Sequence, residues 1–169
     1  TSYEYADLHQ LSTLVLNYTD DYKHLRKGTI GSVLTTEFNT DLVNSVHHIG
    51  RNIYWELYKV DKSKARSVAK YFVDIDKCVS RIYDMLNNDG YCILVIGNTN
   101  YKGIEIDNAS VLINSLNDKG FKDIEITQRK ISGKILTPYR DEFGKFSNSG
   151  SGKKVYSHEY IIVAKKWKT

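Results

Sequence analysis

Between residues 68 and 86 the apolar side chains Val68, Phe72, Ile75, Val79, Ile82 and Leu86 recur at alternating steps of four and three. That period lines up one face of a helix, predicted over 64–86. Asp61 or Ser63 is its candidate N-cap. The polar run Asn87-Asn88-Asp89-Gly90 ends it, with Gly90 suited to the left-handed backbone of a helix C-terminus. Cys92-Ile93-Leu94-Val95-Ile96 then follows without alternation, the pattern of a strand covered on both faces in an α/β sheet. Gly97-Asn98-Thr99-Asn100 sits at that strand's carboxyl end, where open α/β sheets place their ligands. The block has the layout of a domain that handles a nucleotide or cofactor.

The same reading extends in both directions. Leu8, Leu11, Leu14 or Val15, Tyr18 and Tyr22 predict a helix over 6–25, ended by Lys27-Gly28-Thr29-Ile30-Gly31-Ser32. Residues 33–50 are polar and weakly patterned, with short helices at a sheet edge as the expectation. Residues 52–60 are rich in aromatics (Tyr54, Trp55, Tyr58), a composition that serves either core packing or stacking on bases. Downstream, Lys102-Gly103 marks a tight turn, and Ala109, Leu112, Ile113 and Leu116 predict a helix that stops at Gly120. Ile124 and Ile126 alternate as in a half-buried strand, and Tyr160-Ile161-Ile162-Val163-Ala164 is a closing strand. Between them, residues 131–157 hold the only proline, Pro138, and a Ser/Gly/Lys run, and are expected to be a mobile loop. The expected fold is α/β and three-layered: half of a doubly wound sheet, with residues 92–96 central and the last two strands paired antiparallel.

Composition narrows the picture only modestly. The 169 residues suffice for a single domain with its own core, and no internal repeat divides them. A net charge of +4 is compatible with a polyanionic partner without demanding one. No apolar run approaches the roughly 20 residues of a membrane span, so no membrane partner is expected. The first residues lack a basic-then-apolar leader pattern, and a cytoplasmic protein is the expectation. Cys78 and Cys92 read as small core residues, and the adjacent His47 and His48 diverge too much to pair on a metal. No metal site is expected. A sheet that starts at its middle leaves an open edge, so self-association or a complementary N-terminal half is expected as well.

Four stretches in this order resemble the second half of class I S-adenosylmethionine-dependent DNA amino-methyltransferases, the adenine-N6 or cytosine-N4 type of restriction–modification systems. Ser2-Tyr3-Glu4-Tyr5 is similar to their catalytic Ser-Pro-Pro-Tyr segment, and Leu25-Arg26-Lys27 with Ile30-Gly31 to an LRK…IG run after it. Tyr71-Phe72-Val73-Asp74, Leu86, Gly90, Ile96-Gly97-Asn98 and Gly103 resemble the family's helix–strand block. Arg140 and His158-Glu159-Tyr160-Ile161-Ile162-Val163 resemble its terminal hairpin. Two departures stand out: Tyr3 and Glu4 replace the prolines, and the glycine turn that binds the cofactor is absent.

The resemblance implies a partial Rossmann-like methyltransferase sheet with a C-terminal antiparallel strand pair, spanning 1–169 as one domain. It implies methyl transfer from S-adenosylmethionine to the exocyclic amino group of adenine or cytosine in DNA. Such chemistry needs the base out of the stack. By position, Ser2 is the expected acceptor for the amino hydrogens and Tyr5 the expected stacking partner of the flipped base. Gly97 and Asn98 are expected at the rim of the cofactor pocket, although most of the cofactor's site is expected outside this chain. Arg26, Lys27, Arg129, Lys134, Arg140, Lys145, Lys153 and Lys154 are the candidate phosphate contacts. A non-catalytic module that binds DNA or a partner stands beside this reading, because the prolines are lost.

Overall fold

The computed structural model describes residues 10–16, 29–31, 41–131, 139–140, 146–147, 153–154 and 158–168. In chain order the elements are α1 (Gln10–Val15), α2 (Asp41–Ser45), α3 (His48–Val60), α4 (Lys62–Met85), β1 (Tyr91–Ile96), β2 (Thr99–Tyr101), β3 (Ile104–Ile106), α5 (Asn108–Asp118), β4 (Lys122–Lys130), β5 (Tyr139–Arg140), β6 (Phe146–Ser147), β7 (Lys153–Lys154) and β8 (His158–Lys165). The protein is mixed α/β with a small antiparallel principal sheet. It groups into two compact units, Thr1–Ile75 and Asp76–Thr169, divided within α4.

In the first unit, the aromatic-rich segment is a helix that the sequence pattern did not single out. Ile53 and Leu57, one turn apart, are buried in α3, as are Gly50 and Tyr54. From α4 the unit buries Ala65, Val68, Ala69, Phe72 and Val73. A Cβ on Gly50 would lie 3.1 Å from the Phe72 ring, so the two helices meet where α3 has no side chain. Asp61 both ends α3 and starts α4: its N–H donates to the Leu57 carbonyl, and its carboxylate accepts from the Lys64 N–H at 2.9 Å. The side chain is thus the N-cap that the sequence suggested. Part of the helix expected over 6–25 is described as α1, where Leu11, Leu14 and Val15 are exposed.

The second unit centres on a three-stranded sheet of order β1-β8-β4. β8 is antiparallel to both neighbours, with Ile162 opposite Leu94 on one side and Ile126 on the other. β1 and β4 therefore run parallel to each other, with the final strand inserted between them. The antiparallel pairing of the last long strands is as expected, but the central place is not. The expectation that residues 92–96 form the middle strand, covered on both faces, is corrected: among the described residues β1 is an edge strand. Cys92 is buried beside Ala164, whereas Tyr91, Ile93 and Val95 on the opposite face are 57–63 % exposed. The sequence showed no alternation because β1 is apolar on both faces, whatever covers them. The third layer expected on that face is not found among the described residues.

Helix α5 lies against β8. Beside it, Ser115 donates to Asp76 Oδ1 at 2.6 Å, Lys119 pairs with Asp76 at 2.9 Å, and Phe121 meets Tyr83 edge-on at 5.0 Å. Val79, Leu112, Leu116, Phe121, Ile162 and Ala164 make the core of this unit. The turn after α4 corrects a second expectation. Asp89, at φ 62°, takes the left-handed conformation assigned to Gly90. Gly90 is needed instead for space, since a Cβ there would sit 2.8 Å from the Asn87 carbonyl oxygen. Within 131–157, the described residues form short strands in the order β6-β5-β7.

Candidate functional site

The carboxyl end of β1 is built by a hairpin and the start of α5. β2 and β3 pair antiparallel around Lys102 and Gly103, whose φ values of 48° and 87° suit a two-residue turn of the primed type. The Asn100 side chain accepts from the Gly103 N–H at 3.0 Å and closes that turn. Asp107 caps α5 by accepting from the Ser110 N–H at 3.1 Å.

Asn98 sits between these pieces with its carboxamide engaged at both ends. Its oxygen accepts from the Ala109 N–H at 3.0 Å, and its nitrogen donates to Asp107 at 2.8 Å and Glu105 at 3.4 Å. Asn108 in turn donates to the Gly97 carbonyl at 2.9 Å. These bonds stitch the strand end to the first turn of α5. They do not fit Asn98 as a polar contact for a cofactor, because its amide is already occupied on both the oxygen and the nitrogen. Gly97 differs: a Cβ there would meet only the His158 carbonyl oxygen, at 3.7 Å, an ordinary contact that a methyl group can make.

The remaining expected residues fall as follows. Ser2, Tyr5, Arg26, Lys27, Lys134 and Lys145 lie outside the described residues. Arg140 on β5 is in register with Lys153 on β7, and Lys154 with Tyr139, so three of the expected basic positions share one small sheet. Arg129, next to last in β4, is paired with Glu159 on β8 through its guanidinium. A phosphate at Arg129 must compete with that carboxylate. Among the described residues no group of His, Cys, Asp and Glu side chains is disposed to hold a metal ion.

The structure divides the aromatic trio of α3. Tyr54 is buried, and burial pushes its phenol upward, with Tyr58 adding to the effect and Arg66 opposing it. Trp55 is 52 % exposed. In the second unit, burial also raises the Cys92 thiol above its ordinary pKa.

One relationship between distant stretches of sequence has no counterpart in the residue pattern. The Asp74 carboxylate accepts a hydrogen bond from the Gly31 N–H. Spacing carries no signal for a contact so far apart in the chain. No protein-family model matches this chain, and neither does any curated protein or solved structure compared with it.

Proposed function

We propose that this chain is the C-terminal half of a class I DNA amino-methyltransferase with a partial Rossmann-like sheet. Its reaction is methyl transfer from S-adenosylmethionine to the exocyclic amino nitrogen of adenine or cytosine. The observation that supports this reading is the strand order: β8 inserts antiparallel between β1 and β4, which run parallel. That is the C-terminal strand pair the sequence resemblance implies. The asparagine-stitched turn after β1 lies where open α/β sheets present their sites.

In this reading Tyr5 stacks on the extruded base and Ser2 accepts its amino hydrogens. Arg26, Lys27, Lys134, Arg140, Lys145, Lys153 and Lys154 meet phosphates, and Arg129 does so only on leaving Glu159. S-adenosylmethionine supplies the methyl group, and Gly97 leaves room at the pocket rim. In this reading the cofactor's polar contacts come from other residues, since the Asn98 amide is bonded at both ends. The open β1 edge takes a complementary half or a second copy. The reading implies a cytoplasmic protein, and no described helix is long and apolar enough to cross a membrane.

A second reading is a non-catalytic module that binds DNA or a partner. The closed Asn98 network favours it, together with Tyr3 and Glu4 in place of prolines. One experiment separates the two. The gene carrying this chain is expressed in a host without DNA amino-methylation, and the digested host DNA is analysed by mass spectrometry. N6-methyladenine or N4-methylcytosine supports the enzyme, with loss on Tyr5→Ala. Neither base, from folded and abundant protein that binds S-adenosylmethionine, overturns it in favour of the module.

A further inference from the structure

Trp55 lies on α3 with about half its surface open, although large aromatic side chains are usually well covered. Its indole is held by two edge-on contacts, to Tyr54 at 4.9 Å and 74° and to Tyr58 at 5.7 Å and 70°. Tyr54 is in the core, so one of these contacts anchors the indole to a fixed wall. The Lys62 ammonium lies 5.3 Å from the centre of the Tyr58 ring. Lys59, one helical turn after Trp55, is exposed, as are Lys62 and Arg66.

The charge around this ring is uneven. From Arg51 to Lys70 the chain carries six Lys and Arg against two acids, Glu56 and Asp61. The Asp61 carboxylate is occupied in capping α4. Lys70 is paired with Asp74, so the exposed cations at this ring are Lys59, one turn along α3, and Lys62 over Tyr58. A positive surface around an exposed, rigid aromatic ring suits a polyanion that also has flat apolar faces. Single-stranded nucleic acid has both, since its unpaired bases can stack while lysines track the phosphates. Paired bases in a duplex do not offer that face.

We propose that Trp55, backed by Tyr58 and flanked by Lys59 and Lys62, is a binding platform for single-stranded nucleic acid. One unpaired base stacks on the exposed indole, and the basic side chains hold the flanking phosphates. The site lies wholly in the first unit and does not require methyl transfer, so the DNA-methylation experiment neither supports nor weakens it.

The test uses the full chain with Trp167→Phe, which leaves Trp55 as the sole tryptophan. Oligodeoxythymidylate, oligouridylate and inorganic polyphosphate are titrated separately while indole fluorescence is followed. Quenching by either oligonucleotide and not by polyphosphate supports the platform, and the stronger of the two identifies DNA or RNA as the strand preferred. In anisotropy measurements with a labelled oligonucleotide, Trp55→Ala should weaken binding about fivefold to a hundredfold, with Trp55→Phe recovering part of the loss. Lys59→Glu with Lys62→Glu should flatten the salt dependence by about 1.4 units, since each of the two phosphates on a single strand contributes roughly 0.7. Circular dichroism checks that each variant is folded. Equal quenching by polyphosphate, no binding of either oligonucleotide, or unchanged affinity in a folded Trp55→Ala variant overturns the proposal.

Discussion

Asp74 on α4 accepts a hydrogen bond of 2.9 Å from the backbone N–H of Gly31, 43 residues earlier in the chain. Lys70, one turn before Asp74, pairs with the same carboxylate, whose side chain is only 13 % exposed. Gly31 adopts φ +73°, and a Cβ there would lie 3.1 Å from that of Tyr71. The turn is therefore fixed by a charge-assisted bond on one side and by close contact on the other. Removing the acceptor in Asp74→Ala should cost about 1.5–3 kcal/mol, the usual range for a hydrogen bond to a charged group. Asp74→Asn should recover part of this, because its amide oxygen still accepts. Urea unfolding measures both, and an Asp74→Ala midpoint equal to the parent's would show that the bond contributes nothing.

Two glycines flanking β1 should respond in opposite ways. Gly90→Ala drives a methyl to 2.8 Å from both the Asn87 carbonyl oxygen and Leu86 Cγ, so it should destabilise by about 1–3 kcal/mol. Gly97→Ala meets nothing closer than 3.7 Å and should stay within about 0.5 kcal/mol of the parent. Thermal melts of the two variants side by side decide the matter. A costly Gly97→Ala would mean that the methyl cannot be accommodated beside the His158 carbonyl.

Asn98→Ala strands the Ala109 N–H and removes the donor to Asp107, with an expected loss of about 1–3 kcal/mol. Asn98→Asp keeps the acceptor but sets a third carboxylate beside Asp107 and Glu105. It should therefore be the worse of the two at neutral pH despite being nearly isosteric. Hydrogen exchange at the first turn of α5 is the local readout. Slower exchange in Asn98→Asp than in Asn98→Ala would contradict this.

Burial raises the Cys92 thiol in the folded protein. Above about pH 8.5, the ordinary thiol value, the unfolded chain loses this proton while the folded chain keeps it. The contribution of Cys92 to stability is thus complete below that pH and declines as pH rises toward the folded value. Cys92→Ala, whatever its cost at neutral pH, should lose less stability than the parent does as pH rises from about 8 to about 9.5. Parallel pH profiles would remove the linkage.

Binding of duplex DNA is the measurement for the basic segment. Replacing Lys145, Lys153 and Lys154 together with alanine should weaken all duplex sequences alike. It should also flatten the salt slope by up to about one unit for each phosphate no longer neutralised. Arg129→Ala should change the slope less, because Glu159 already neutralises that guanidinium. Equal affinity of parent and triple variant at low salt would take the segment out of any DNA interface.

Local signals were legible in the sequence where one element decides its own form. The steps of four and three from Val68 to Leu86, the Asp61 cap and the halt at Gly120 all correspond to observed structure. Features set by distant neighbours were not legible. An apolar run reads alike in a central strand and in an edge strand with one bare face, so the place of β1 in the sheet was not encoded in its own residues. Helix α3 was hidden because aromatic crowding at Tyr54, Trp55 and Tyr58 overlies its buried stripe of Gly50, Ile53, Tyr54 and Leu57. At the candidate site, Gly97 and Asn98 read as a turn, but the bonds that occupy Asn98 depend on partners nine to eleven residues on.

The position of β8 also bears on how the molecule is made. The strand at the middle of the sheet comes last of its three in the chain, and β1 and β4 touch each other only through it. As the polypeptide leaves the ribosome, β1 waits for a partner that begins only at His158, bare on a long apolar edge. The sheet therefore cannot grow strand by strand with synthesis; it closes in one late step, after His158–Lys165 has emerged. Until then β1 offers both of its edges to other nascent chains, against one in the finished sheet, which makes the interval of translation its most vulnerable moment.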